Sequence, residues 1–246
     1  MPSERLTPKE WLAQQPLQKD QRLYLIISAA SDAQPLKSFY QQDNAPQLQP
    51  IWGGTPYANW QPVMPYLAEI APNADFLQWI AETDAMDWGW LAVSKSAPDP
   101  VLEHLRSLTQ VRMPDTTEVF FRFWDGRHIY PIIEALGTAA GEILPVFERY
   151  LINGQNLEVG QRAVSPAKEW PWWEVPQTLL DLLAKKDHTT VVENLMQWLA
   201  EECPELYYEF PEANLRRKVE RFVRQNPNIE DIAEQLASQL TKEVTS

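Results

Sequence analysis

Two kinds of hydrophobic pattern alternate along the first 140 residues of the chain. Nearly continuous apolar runs at residues 23–29 and 88–93 are typical of strands that are buried on both faces of a sheet. A third strand is predicted at residues 118–124, where successive side chains alternate between two faces. Between these runs, apolar residues recur at helical spacing, which predicts helices near residues 8–12, 32–40, 76–80, 99–108 and 131–136. Strands that alternate with helices indicate an α/β layer, with a mixed or parallel sheet flanked by helices.

Local sequence marks where several of these helices begin. The run Thr7-Pro8-Lys9-Glu10 combines a capping threonine, a proline at the first helical position and a glutamate three residues after the cap. Asp32 is predicted to cap the second helix, and Pro131 is predicted to start the fifth. Residues 43–66 are rich in Pro, Gln and Asn, which favours a loop around one short strand near Ile51.

The hydrophobic pattern changes after about residue 140. Residues 153–176 show little periodicity, whereas the apolar stripes from residue 178 onward predict helices alone, one of them capped by Asn228. We therefore expect two parts: an α/β domain over residues 1–145 and an all-helical C-terminal lobe over residues 146–246.

Charge and composition restrict the function. The chain has 246 residues, of which 44% are hydrophobic and 22% charged, as in a soluble globular protein. It carries 21 Lys and Arg against 34 Asp and Glu, so its net charge of −13 disfavours nucleic acid and anionic lipid as partners. The sequence contains no apolar run of membrane-spanning length and no secretory signal, so we expect a cytoplasmic protein without membrane insertion.

Recognisable catalytic motifs are absent from the sequence. The single cysteine, Cys203, excludes an internal disulfide and a multi-cysteine metal site. The three histidines, His104, His128 and His188, do not have metal-ligand spacing, and neither a nucleophile elbow nor a dinucleotide-binding glycine motif occurs. We expect a protein that is not an enzyme and that holds no cofactor or metal. The alternative is a hydrolase-like enzyme whose site only the fold assembles.

Aromatic and basic residues provide candidate binding surfaces. The cluster of Trp170, Trp172 and Trp173 either anchors a partner or fills the space between the two parts of the chain. Arg122 either contacts an anion or, as we favour, pairs with Asp125 and holds the end of a strand. Five basic residues lie close together in one predicted helix: Arg216, Arg217, Lys218, Arg221 and Arg224. They form a docking face or an internal complement to the acidic residues between positions 201 and 209, and we favour the second.

Five short motifs occur in a characteristic order in the first part of the chain. They are Leu23–Ala29, Pro65–Leu67, Trp88-Gly89, His104–Leu108 and Phe121–Asp125. With these motifs the chain resembles the type VI secretion adaptors, the effector chaperones of the Tap or Tec type, over about residues 22–145. That family usually has Asp-Pro where this chain has Asp125-Gly126.

The resemblance implies a non-enzymatic cytoplasmic protein of a Gram-negative bacterium. Such adaptors bind one toxic effector, often near its N-terminal region, and promote its loading onto the VgrG spike protein. The residues that match the family pattern are His104, Leu105, Arg106, Arg122 and Asp125.

Taken together with this resemblance, the aromatic residues and the two unlike parts of the chain lead us to hypothesise that an apolar effector segment binds in a cleft between the two parts. The candidate partner-binding residues are Trp172, Trp173, Tyr207, Tyr208, Phe210, Arg106, Arg122, Trp124 and Asp125. A structural subunit of a larger assembly is a further alternative, and it would require a large exposed apolar patch.

Overall fold

A six-stranded antiparallel sheet forms the centre of the N-terminal part of the chain. The computed structural model describes residues 5–42, 47–159, 166–186, 189–226 and 231–244. The strands are β1 (Arg22–Ser28), β2 (Gln49–Pro50), β3 (Pro65–Ile70), β4 (Gly89–Ser94), β5 (Gln110–Arg112), β6 (Glu118–Phe120), β7 (Arg149–Ile152) and β8 (Gln155–Glu158). The order in the sheet is β2-β3-β1-β4-β7-β8, and β5 and β6 form a separate two-stranded hairpin.

Strand β1 lies in the middle of the sheet, and its apolar run is buried on both faces, as predicted. Its residue Ile26 lies opposite Leu67 of β3 on one side and Trp90 of β4 on the other. All strand pairs of this sheet are antiparallel, so the expectation of a mixed or parallel sheet was wrong. The reason is that a continuous apolar run reports burial on two faces, which helices provide for either strand direction.

Helices cover the sheet and begin where capping groups allow. They are α1 (Pro8–Gln14), α2 (Pro35–Gln42), α3 (Phe76–Glu82), α4 (Pro98–Ser107), α5 (Gly126–Leu136) and α6 (Ala140–Ile143). The capping box of α1 is confirmed, because Thr7 and Glu10 each accept a hydrogen bond from the other's backbone N–H. Helix α2 begins at Pro35, so the predicted cap at Asp32 was wrong.

Two sequence predictions fail near the end of the domain, and one element there was not predicted. The strand predicted at residues 118–124 stops at Phe120 and pairs with β5 outside the main sheet. Helix α5 begins at Gly126 and contains Pro131, because the Asp125 side chain already caps its first turn. The hairpin of β7 and β8 was not predicted. It turns at Asn153-Gly154, where φ is 54° and 76°, as in a type I′ turn.

The chain divides into two compact units, residues 1–179 and 180–246. This division comes later than the predicted boundary after residue 145, because β7 pairs with β4 and extends the N-terminal sheet. In the described ranges after the sheet, the helices are α7 (Gln177–Lys186), α8 (Thr189–Glu202), α9 (Pro204–Glu209), α10 (Glu212–Gln225) and α11 (Ile232–Val244). An α/β part followed by an all-helical part is therefore confirmed.

The C-terminal unit has a hydrophobic core of its own. Leu215 and Val219 of α10 are fully buried, and they belong to one cluster with Leu199 of α8 and Leu236 and Leu240 of α11. The cap predicted at Asn228 and the histidine His188 lie outside the described residues.

Candidate functional site

Five aromatic side chains of the N-terminal unit pack against one another and form what we call the aromatic face: Trp52, Tyr57, Trp60, Phe120 and Trp124. The ring centroids of Trp52 and Trp124 lie 5.2 Å apart at nearly perpendicular planes. Phe120 lies 4.9 Å from Tyr57 and 5.3 Å from Trp60. Edge-to-face packing, as between Trp52 and Trp124 and between Tyr57 and Phe120, stabilises each such pair by about 1 kcal/mol beyond the burial of area. The rings of Trp60 and Phe120 are tilted by 33°.

Consecutive tight turns and one long-range hydrogen bond hold the loop that carries Trp52, Tyr57 and Trp60. Backbone bonds link Thr55 N–H to the Trp52 oxygen and Trp60 N–H to the Tyr57 oxygen, at 3.1 Å and 3.0 Å. Arg106 of α4 donates its Nε–H to the backbone oxygen of the residue just before Trp52, at 2.8 Å. The rings are thus positioned before any partner arrives.

The aromatic face is buried at its base and open at its rim. Trp52 and Trp124 are at most 4% exposed, whereas Trp60 is 46% exposed and the nearby Val63 is 38% exposed. Tyr57 and Phe120 are half-buried. Large rigid rings that remain partly exposed are typical of protein interfaces, because their burial costs little side-chain entropy.

Two polar atoms at the base of the aromatic face lack partners. The indole Nε1 atoms of Trp52 and Trp124 are buried and have no hydrogen-bond acceptor among the described residues. A buried donor without an acceptor costs about 1–3 kcal/mol. The hydrogen-bonding groups of the aromatic face are therefore less completely paired than those of an ordinary core, which is common at surfaces that carry function.

A charge cluster begins at the residue after Trp124. The carboxylate of Asp125 is 1% exposed and accepts hydrogen bonds from Arg122 at 3.0 Å and from Arg127 at 2.8 Å and 3.1 Å. Arg127 also pairs with Asp87 at 3.3 Å, and its hydrogen bond to Asp125 raises the pKa of the guanidinium. The favoured interpretation of Arg122, as a structural partner of Asp125, agrees with this geometry.

The adjacent histidine completes the charge cluster. The Nε2 atom of His128 lies 3.7 Å from Asp125, and burial lowers the pKa of the imidazole despite that carboxylate. Both oxygens of Asp125 already accept hydrogen bonds from arginine, so this carboxylate fixes the start of α5 and is not a free base.

His104 and Ser107 of α4 lie close together, but they do not form a nucleophile and base. The His104 Nε2–H donates to the backbone oxygen of Ile143 at 2.6 Å, and burial lowers the pKa of this imidazole. The Ser107 hydroxyl donates to the backbone oxygen of His104 at 2.6 Å and accepts a hydrogen bond from the Trp172 indole at 3.0 Å. This set of bonds holds structure together and leaves no activated hydroxyl at Ser107.

The two predicted tryptophan anchors lie on the N-terminal unit. Both side chains are half-buried, and Trp173 packs on Phe121 at 5.4 Å between ring centroids. The backbone oxygen of Trp173 and the N–H of Val175 bond to Arg112 of β5, at 2.9 Å and 2.8 Å. This segment therefore adds to the edge of the β5–β6 hairpin.

The other predicted anchors belong to the C-terminal unit. Tyr208 is 79% exposed and packs edge to face on Tyr207 at 5.3 Å. The ammonium group of Lys218 lies 5.1 Å from the ring centroid of Phe210. A common cleft for the tryptophan and tyrosine anchors stays a prediction.

Sequence reasoning selected Trp124 and Arg106 but missed Trp52, Tyr57 and Trp60. The available signal was the density of aromatic residues in a proline-rich loop, where few ordinary core positions are expected. The sequence did not reveal that Phe120, the last residue of β6, packs against the rings of this loop.

The described residues contain neither a metal-ligand cluster nor a helix that could span a membrane. Among them, no group of three or more His, Cys, Asp or Glu side chains is placed to bind a metal ion. Within the same ranges, no helix combines the length and the apolar character that crossing a membrane requires.

The N-terminal unit is an α/β domain that presents an aromatic surface beside a buried, arginine-paired carboxylate. Residues 23–140 match the model of a family described as a domain of unknown function, DUF4123. This family is associated with effectors of type VI secretion, in agreement with the resemblance seen in the sequence. The matched segment contains the entire aromatic face and Asp125. No curated protein and no solved structure matches the chain significantly.

Proposed function

We propose that this chain is a cytoplasmic adaptor that binds one type VI effector and promotes its loading onto the VgrG spike protein. The observation that carries the proposal is the location of the exposed aromatic face inside the family-matched segment. The adaptor acts by recognition and release, without making or breaking covalent bonds.

The aromatic face is the proposed effector contact. An apolar segment from the N-terminal region of the effector packs on Trp60, Tyr57 and Phe120 and covers the rim of the face. Burying the exposed half of a tryptophan contributes about 2 kcal/mol. Arg106 does not touch the effector in this proposal but holds the loop in its binding conformation.

The test is co-expression of the tagged chain with the proteins encoded by neighbouring genes, followed by size-exclusion chromatography. We expect a stoichiometric complex with one large partner that is soluble only when this chain is present. A chain that elutes alone, beside neighbours that are soluble without it, would overturn the proposal.

Two variants then locate the contact. Trp60→Ala should weaken the complex about tenfold or more, because an exposed aromatic side chain that becomes buried at an interface contributes about 1.4 kcal/mol or more to binding. Tyr40→Ala is the matched control, since Tyr40 is 56% exposed and belongs to α2, outside the aromatic face. Equal affinities for both variants would remove the aromatic face from the proposal.

A further inference from the structure

Helix α10 carries an exposed row of arginines that we call the basic face: Arg217, Arg221 and Arg224. All three side chains are exposed. At 100° per residue, they project within an arc of about 60° on the helix. They therefore form one continuous strip of positive charge.

Packing of the helix fixes the direction of this strip. Leu215, Val219 and Phe222 lie on the opposite side of α10 and are buried in the core of the C-terminal unit. Rotating the basic face inward would expose this apolar stripe, at a cost of about 2 kcal/mol for each of its side chains. The arginines are thus held toward solvent.

The basic face is a positively charged surface on a chain that is negatively charged as a whole. The whole chain has a net charge of −13, yet α10 contains five of its 21 Lys and Arg in 14 residues. Lys218 forms an ion pair with Glu243, which lowers the pKa of that carboxyl, and Arg221 contributes to the same shift. Among the described residues, Arg217 bonds to neutral groups, the Asn214 side chain at 2.7 Å and a backbone oxygen.

The favoured sequence interpretation was that these basic residues complement the acidic residues between positions 201 and 209. In the described part of the chain, no ion pair joins the basic face to that acidic segment. No ion pair with a described carboxylate neutralises these three guanidinium groups, so their positive charge remains available to a partner.

We propose that the basic face of α10 docks an acidic segment of a partner protein, with carboxylates spaced about one helical turn apart. Guanidinium groups bind carboxylates through paired hydrogen bonds, and the strip spans about 10 Å from Arg217 to Arg224. This length fits two or three carboxylates. A nucleic acid fits less well, because its long backbone would meet the acidic remainder of the surface.

This inference does not depend on the aromatic face, which belongs to the other unit. An adaptor that hands one protein to another needs two separate contact surfaces, and the two units would then supply one each.

The experiment measures binding of a fluorescently labelled glutamate peptide of about ten residues, long enough to span the strip, to the full chain by anisotropy. We expect binding at about 50 mM salt that weakens strongly at about 200 mM, as for a charge-driven contact. The variant R217E/R221E/R224E should lose at least about tenfold in affinity. The control K9E/K19E/K37E changes the net charge equally at exposed lysines of the N-terminal unit and should keep near-normal binding.

Three outcomes would overturn the proposal. They are absence of peptide binding, equal loss in both triple variants, and tighter binding of a single-stranded DNA of similar length that the same arginine variant abolishes. Circular dichroism verifies that the arginine variant is folded. If it is not, R217Q/R221Q/R224Q replaces it, and unchanged peptide affinity in that folded variant also counts against the basic face. Trp60→Ala leaves α10 intact. A failed peptide-binding test of the basic face is therefore distinguishable from a failed test of the effector contact at the aromatic face.

Discussion

Arg106 and Ile51 are separated by 55 residues in sequence, yet the Nε–H of the arginine donates to the backbone oxygen of the isoleucine at 2.8 Å. This bond joins α4 to the loop that carries the aromatic face. Arg106, which matches the family pattern, thus positions the aromatic rings by holding the backbone of their loop. A guanidinium is suited to this role because it remains charged and presents its donors in a fixed plane.

The first prediction concerns this bond. Arg106→Gln should leave the free energy of unfolding within about 1 kcal/mol of the wild type, because one partly exposed hydrogen bond is lost. The loop over residues 51–63 should become more susceptible to limited proteolysis, and effector affinity should fall. Arg22→Gln, which removes an exposed ion pair with Glu69, is the control and should change neither property.

Two glycines with positive φ should differ greatly in their tolerance of a side chain. A Cβ at Gly89 would lie 1.9 Å from the backbone oxygen of Ile26 in the neighbouring strand, whereas a Cβ at Gly54 meets nothing within 4 Å. Gly54→Ala should cost about 1 kcal/mol from backbone strain alone. Gly89→Ala should cost more than about 4 kcal/mol or prevent folding. Urea denaturation of both variants measures the difference, and similar stabilities would contradict the register of β1 and β4.

Replacing Asp125 should reveal how much the charge cluster stabilises the domain. Asp125→Asn keeps the shape but removes the charge that two arginines share, and it turns an amide donor toward their N–H groups. We expect a loss of about 2 kcal/mol in the free energy of unfolding, less than for a fully buried pair because both arginines are half-exposed. Asp84→Asn is the control, since Asp84 is fully exposed and should change stability little.

His104 should make stability fall in mild acid. Burial lowers the pKa of its folded-state imidazole below 6.5, so the unfolded chain binds more protons below that pH. Acidification from pH 7 to pH 5, about the range in which an unfolded histidine titrates, therefore favours unfolding. His104→Gln, whose amide can still donate to Ile143, should flatten this pH dependence. An unchanged slope would mean that the buried imidazole is not the responsible group.

A double-mutant cycle should separate the structural role of Trp172 from its predicted role as an anchor. The Trp172 indole donates to the Ser107 hydroxyl at 3.0 Å. Trp172→Phe and Ser107→Ala should show a coupling free energy of about 1 kcal/mol in unfolding measurements. If effector affinity falls in Trp172→Phe as well, the ring also contacts the partner. Strictly additive stabilities would show that the indole bond does not form.

How far the sequence predicts this fold depends on which physical signal each element carries. β1 and β4 are continuous apolar runs buried on both faces, and α1 has a complete capping box, so local sequence was sufficient for them. β3 begins with Pro65 at the end of a loop-like stretch, and its pairing with β1 is a long-range contact that periodicity does not report.

The sequence predicted only those contacts of the candidate site that join residues close together in the chain. Arg122 and Asp125 are three residues apart, and their pairing followed from charge and spacing. The contact of Trp52 with Trp124 joins residues that are far apart in sequence, one in the loop after β2 and the other just before α5. Sequence alone contains no signal for such a meeting.

The strand order limits where this domain can be truncated. Residues 23–140 end before β7, although β7 lies beside the fully buried strand β4. A chain that stopped at residue 140 would leave β4 as an open apolar edge, which is a template for aggregation. During synthesis, the same edge stays uncovered until the ribosome has released the hairpin that ends at Glu158. The segment that the family model matches is therefore not a complete folding unit.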